Sequence, residues 1–130
     1  MKSVPLLLLL SLSLTGCRED SDSATGLAGN WQLISRQCFC PPGPVPPETA
    51  TFTATSFAFY RDGQLTGRGT YAPDMGQICS AAKVPVTKLS FASAAGGTFT
   101  NVQITVSYNT LTLDYGSPCD APRDTYRRLP

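Results

Sequence analysis

Histidine is absent from all 130 residues. The commonest acid–base side chain and metal ligand is therefore missing, and neither a Ser–His–Asp triad nor a Cys–His pair can be assembled. Charge is sparse, with ten basic against nine acidic side chains, and Lys and Arg do not cluster as a nucleic-acid binder or a polybasic lipid reader requires. A glycine-rich phosphate loop is missing too: Gly67-Arg68-Gly69 sits inside a strand-like stretch with no helix after it. The carboxylates give no clear dyad. Asp62 reads as a turn residue, Asp120-Ala121-Pro122 as a turn between strands, and Asp114 and Asp124 as solvated positions. These absences lead to the expectation of no catalytic residue, no metal, no cofactor and no nucleic-acid partner: not an enzyme.

A membrane-spanning run is also lacking near the N-terminus. The apolar stretch from Val4 to Leu14 has 11 residues, against the roughly 20 that a helix needs to cross a bilayer. Preceded by Met1-Lys2 and followed by the small Thr15 and Gly16, it reads as a targeting segment. An A-x-A-like cleavage site does not follow. Leu14-Thr15-Gly16-Cys17 instead resembles the lipobox of bacterial lipoproteins. That resemblance implies that residues 1–16 are a signal peptide and that Cys17 is diacylated, becomes the new N-terminus and is acylated again. Palmitate-like chains on Cys17 would anchor the protein stably, because each buried methylene contributes about 0.8 kcal/mol and two or more chains suffice. Residues 17–26, polar and without periodicity, read as a flexible tether. Arg18-Glu19-Asp20 resembles the surface-export signal of Bacteroidetes lipoproteins, which implies the cell envelope, an outer-membrane anchor and a surface-exposed domain.

Once the leader is removed, nine basic and nine acidic side chains remain, and so do four cysteines besides Cys17. An even number in an exported chain reads as two disulfides among Cys38, Cys40, Cys79 and Cys119. In an extended strand the Cα atoms of Cys38 and Cys40 would lie about 6.6–6.8 Å apart, at the edge of disulfide geometry. Each is therefore expected to reach Cys79 or Cys119, with both arrangements open. A four-cysteine zinc site is the weaker alternative, since it usually shows C-x2–4-C spacing and this chain has C-x-C.

What is abundant is strand and turn. Val102, Ile104, Val106 and Tyr108 alternate with Gln103, Thr105 and Ser107, a strand with one wet face. Asn109-Thr110 reads as a turn, after which Leu111, Leu113 and Tyr115 continue the apolar face. Upstream, Phe57 and Phe59 lead into Asp62-Gly63, a tight-turn pair, and Leu65, Gly67, Gly69 and Tyr71 return. Two glycines on an inner face suggest a hard bend or a bulky neighbour. Further strands are expected at residues 31–38, 48–53, 84–91 and 124–129. The proline-rich stretch from Cys40 to Pro47 is a stiff loop, and 72–82 and 94–97 are further loops. About eight short antiparallel strands would leave edges that closure removes. An up-and-down β-barrel over residues 27–130 is the expected fold, with a β-sandwich as alternative.

Gly29-Asn30-Trp31, opening the first strand of such a domain, resembles the lipocalins. Together with Leu113-Asp114-Tyr115-Gly116, Cys119-Asp120-Ala121-Pro122 and Tyr126-Arg127-Arg128-Leu129, the chain resembles small lipocalin-like lipoproteins of Bacteroidetes. The resemblance implies a barrel closed at one end by Gly29 and Trp31, with an arginine from the last strand over the indole. Parity with Tyr126 selects Arg128, in a cation–π contact. It also implies an open end able to bind a small apolar molecule. Phe57, Phe59, Tyr71, Val102, Ile104, Tyr108 and Leu113 either line such a pocket or are core, because a narrow eight-stranded barrel can hold one ligand or be filled by its own side chains. A filled barrel would act through its surface, on a protein partner as an inhibitor, adhesin or envelope accessory, with residues 40–47 as the presenting loop.

Overall fold

The computed structural model describes residues 26–93 and 96–130. The expected signal peptide, Cys17 and most of the expected tether lie outside the described residues. Eight strands run in chain order: β1 (Gly29–Gln37), β2 (Glu48–Phe52), β3 (Ser56–Arg61), β4 (Gln64–Gly76), β5 (Val84–Phe91), β6 (Thr98–Ser107), β7 (Thr110–Asp114) and β8 (Arg123–Arg128). Each is antiparallel to the next, and β8 pairs back onto β1 from Trp31↔Arg128 to Gln37↔Arg123. The sheet is a closed up-and-down barrel, so it leaves no long edge to be covered.

Turn chemistry explains the tightest connections. Asp62 and Gly63 both have positive φ, 51° and 75°, which suits the right-handed twist of the flanking β3 and β4. The β6–β7 hairpin turns one residue earlier than the sequence suggests, at Tyr108-Asn109. Tyr108 takes φ 51° and its side chain is 84% exposed, so it belongs neither to a pocket nor to the core. The apolar alternation simply runs one step past the end of the strand.

β4 corrects a second expectation. The strand continues through Pro73 to Gly76, where a loop from Ala72 was expected. Its pairing with β3 ends at Ser56↔Thr70, while β5 accompanies it to Gly76↔Val84. Beyond Thr70 one side of β4 is therefore unpaired, and a proline there removes no ladder hydrogen bond. The glycines of β4 admit close neighbours. A Cβ on Gly67 would lie 3.1 Å from the Phe91 ring, and one on Gly69 would run into the Ser90 carbonyl.

The interior is one cluster of buried side chains: Trp31, Leu33, Ala50, Phe52, Phe57, Leu89, Val102, Leu111, Leu113 and Tyr126. Of the candidate lining residues, Phe57, Val102 and Leu113 are in this core, and Phe59, Tyr71 and Ile104 pack half-buried against it. Phe52 is the aromatic hub, with ring centroids 6.4, 6.1 and 5.7 Å from Phe57, Phe59 and Tyr71. Edge-on and tilted packing of this kind adds to the area buried.

Candidate functional site at the open mouth

The two ends of the barrel differ. At one, Trp31 Nε1 donates to the Leu27 carbonyl at 2.9 Å, and the Arg128 guanidinium stacks 4.2 Å from the centre of the indole. Arg128 also donates to the carbonyls of Ala28 (2.9 Å) and Gly26 (2.7 Å), so it ties the entering chain across this end. Gly29, at φ 143°, has no room for a side chain: a Cβ would meet Arg128 at 2.8 Å. Gly29, Trp31 and Arg128 thus come together as a plug.

The opposite end carries charge. Arg36 donates to Asp124 (2.7 and 2.8 Å) and to Glu48 (3.1 and 2.7 Å), and Arg61 donates to Glu48 through both Nε and a terminal nitrogen. Two cations and two carboxylates form an open, charge-balanced chain inside the mouth, in the order Asp124, Arg36, Glu48, Arg61. Register explains why. Between Leu33 and Ser35 the β1–β8 pairing slips by one residue, a bulge that turns Arg36 to the face already occupied by Trp31 and Leu33. Asp124 shares its face with Tyr126 and Arg128, and its side chain is only 4% exposed. The expectation that Asp124 is solvated is therefore wrong: it is the buried counter-ion of Arg36.

The hydrogen bonds it donates to Asp124, and then to Glu48, hold the Arg36 guanidinium protonated well above its ordinary range. Burial pushes the Glu48 carboxyl up, but the donors of Arg36 and Arg61 outweigh it and the net shift is downward. Beneath these ion pairs lies a hollow of about 420 Å³ whose walls include Phe59, Phe91, Tyr115 and Tyr126, with Gly67 at one side. Burial, and next the negative charge of Asp124, raises both phenols, Tyr115 and Tyr126, so their hydroxyls stay protonated. Neither hydroxyl is hydrogen-bonded to a described residue. The mouth therefore offers two neutral donors, aromatic walls and a rim whose charges compensate each other. No family model, curated protein or solved structure matches this chain.

Beside this mouth stands the proline-rich loop between β1 and β2. It borders a larger hollow of about 820 Å³, shared with Asp120 and Pro122 of the β7–β8 connection. Phe39 is 90% exposed there. The cysteines pair differently from the expectation that Cys38 and Cys40 each reach a distant partner. Cys38 bonds Cys40, with Cα atoms 5.2 Å apart, and Cys79 bonds Cys119, with Cα atoms 5.5 Å apart. The extended spacing does not apply, because β1 ends at Gln37 and the chain bends at Phe39 and Cys40. Cys79 reaches Cys119 because the β4–β5 tip folds over the outer face of β6. The Asn101 amide donates to the Gln77 carbonyl at 3.4 Å, and Cys79 Sγ lies 3.2 Å from the Gly116 carbonyl. Asp114 shapes the same corner, accepting from the amides of Gly116 (2.9 Å) and Ser117 (2.8 Å).

Of the mouth residues, sequence reasoning singled out only Phe59 among its site candidates. Glu48 could have been found, since Glu48, Ala50 and Phe52 alternate on one face, and so could Asp124, two residues before Tyr126. Arg36 could not, because strict alternation places it outward and only the bulge turns it in.

Proposed function

We propose that this is a lipid-anchored, lipocalin-like binding domain of the cell envelope that performs no catalysis and takes a small molecule at its open mouth. The observation that carries this reading is the pair of protonated tyrosine hydroxyls, without a hydrogen-bond partner among the described residues, in a hollow with aromatic walls. The buried side chains of the described core occupy the interior beneath this hollow, so the ligand is shallow and small, with an aromatic or apolar body and one acceptor oxygen. The charge-balanced chain of Arg36, Glu48, Arg61 and Asp124 is already internally paired and supplies shape rather than a net field. Pockets of several hundred Å³ with a few convergent polar groups are typical of such sites.

The anchor at Cys17 fits this arrangement. Arg128 holds Gly26 at the plugged end, so the chain from Cys17 enters the domain at the end opposite the mouth and the proline-rich loop. Cys17→Ser should abolish palmitate labelling and release soluble protein; persistent membrane association would remove the anchor from the reading. For the mouth, native mass spectrometry of protein isolated from its own envelope should show an added mass that solvent extraction removes and that Tyr115→Phe weakens. A bare mass for the unaltered protein would refute the small-molecule reading. A second reading, action on a protein partner, is favoured by the exposed Phe39 beside a hollow of about 820 Å³. It predicts a bare mass together with a captured envelope protein that is lost on Phe39→Ser.

A further inference from the structure

The two disulfides differ in the properties that govern exchange. Cys79–Cys119 links positions 40 apart and clamps the β4–β5 tip onto the β7–β8 connection. Cys38–Cys40 links positions 2 apart. It lies just past the end of β1, outside every strand, so no ladder depends on it. Cys40 is exposed while Cys38 is half-buried. A hollow of about 300 Å³ is formed by Cys38, Phe39, Cys40 and Pro41 alone, and the larger loop-side hollow adjoins it. Closing so short a loop removes little conformational freedom from the open chain, so the bridge has little hold of its own. Exposed bridges are the ones that exchange with external thiols.

We propose that Cys38–Cys40 is an exchangeable disulfide that accepts two electrons from a dithiol partner. The partner's thiolate attacks Cys40 Sγ, the more exposed sulfur. A bond forms between the two, the Cys38–Cys40 bond breaks, and Cys38 leaves as a thiolate that takes a proton from water. The partner's second thiolate then attacks the partner sulfur of the mixed disulfide. Cys40 is released as a thiolate and protonated, and the partner departs oxidised to its own disulfide. Thiol–disulfide exchange of this kind requires no histidine, and it goes beyond the binding reading without resting on it.

The probe is dithiothreitol, titrated onto the oxidised full chain, with acid quench, alkylation and peptide mapping. Cys38 and Cys40 should be half-reduced at a dose about tenfold lower than Cys79 and Cys119, while the fluorescence of Trp31 stays at its folded value. Opening of both bridges at one dose, or of Cys38–Cys40 only as Trp31 becomes exposed, would overturn the proposal. So would a map joining Cys38 and Cys40 to Cys79 and Cys119. In single variants challenged with oxidised glutathione, Cys40 in Cys38→Ser should be glutathionylated faster than Cys38 in Cys40→Ser. The reverse order would overturn Cys40 as the attacked sulfur.

Discussion

Replacing Arg36 with methionine isolates what the linked ion pairs contribute. The substitution keeps a long, flexible side chain and removes a guanidinium that serves two carboxylates. Deleting one partner of a buried ion pair costs about 3–5 kcal/mol, because the other charge is left uncompensated. Here Glu48 keeps Arg61, and the Arg36 side chain is 23% exposed, so part of that penalty is relieved by solvent. Asp124, with its side chain 4% exposed, has no second cation among the described residues. The expected loss for Arg36→Met is therefore about 2–3 kcal/mol. Urea unfolding followed through the single tryptophan reads it directly, since Trp31 is fully buried at the far end of the barrel. In the double variant Arg36→Met/Asp124→Leu the stranded charge is gone, and most of the stability should return as a coupling between the two sites. A single variant within about 0.5 kcal/mol of the parent, or a double variant no better than the single, would refute the claim that Arg36 compensates a buried Asp124.

Trp31→Ala should cost about 3–5 kcal/mol by urea unfolding followed through far-ultraviolet circular dichroism, as large aromatic truncations in a core do; a near-neutral result would mean that the plug is not packed. Cys79→Ala/Cys119→Ala should destabilise by about 4 kcal/mol on the chain-entropy model for a loop of this length, whereas Cys38→Ala/Cys40→Ala should cost less than half as much; equal losses would contradict the contrast between the two bridges. Because the folded pKa values of Glu48 and Asp114 lie below their ordinary values, both carboxylates stabilise the fold above the unfolded pKa of about 4. That stability should be lost as pH falls further, so Tm should drop on acidification below about pH 4, and Glu48→Gln should flatten the slope; a slope unchanged by Glu48→Gln would exclude its part in the ion pairs.

Much of the barrel is legible in single residues. Alternation in Val102, Ile104 and Val106, the Asp62-Gly63 pair and the parity of Tyr126 with Arg128 are local patterns, set by the two-residue period of a strand and by turn sterics. Closure follows from them, since eight short antiparallel strands have edges to hide. Tyr108 shows where that logic overruns: periodicity marks a face but not the residue at which a strand stops. Pro73 shows the converse, because whether a proline breaks a strand depends on whether its side of the ladder is paired.

The mouth is where local reasoning ends. Glu48 and Asp124 sit on inward faces of their own strands and could be read as such, yet a carboxylate facing inward makes sense only once its cation is known. That cation, Arg36, is brought inward by a bulge, which inserts one unpaired residue and exchanges the two faces of the strand beyond it. The pairing of the cysteines has the same character, since a bend after Gln37 and a hairpin tip folded across β6 set distances that spacing cannot encode. By itself the sequence determined an all-β chain with one buried face per strand and a chemistry without histidine, while the plugged end around Trp31 was implied by the resemblance to the lipocalins. Only the tertiary structure decided which polar groups meet at the open end. Strand patterns are written in neighbours along the chain, whereas ion pairs and disulfides depend on registers and bends that the closed barrel sets as a whole.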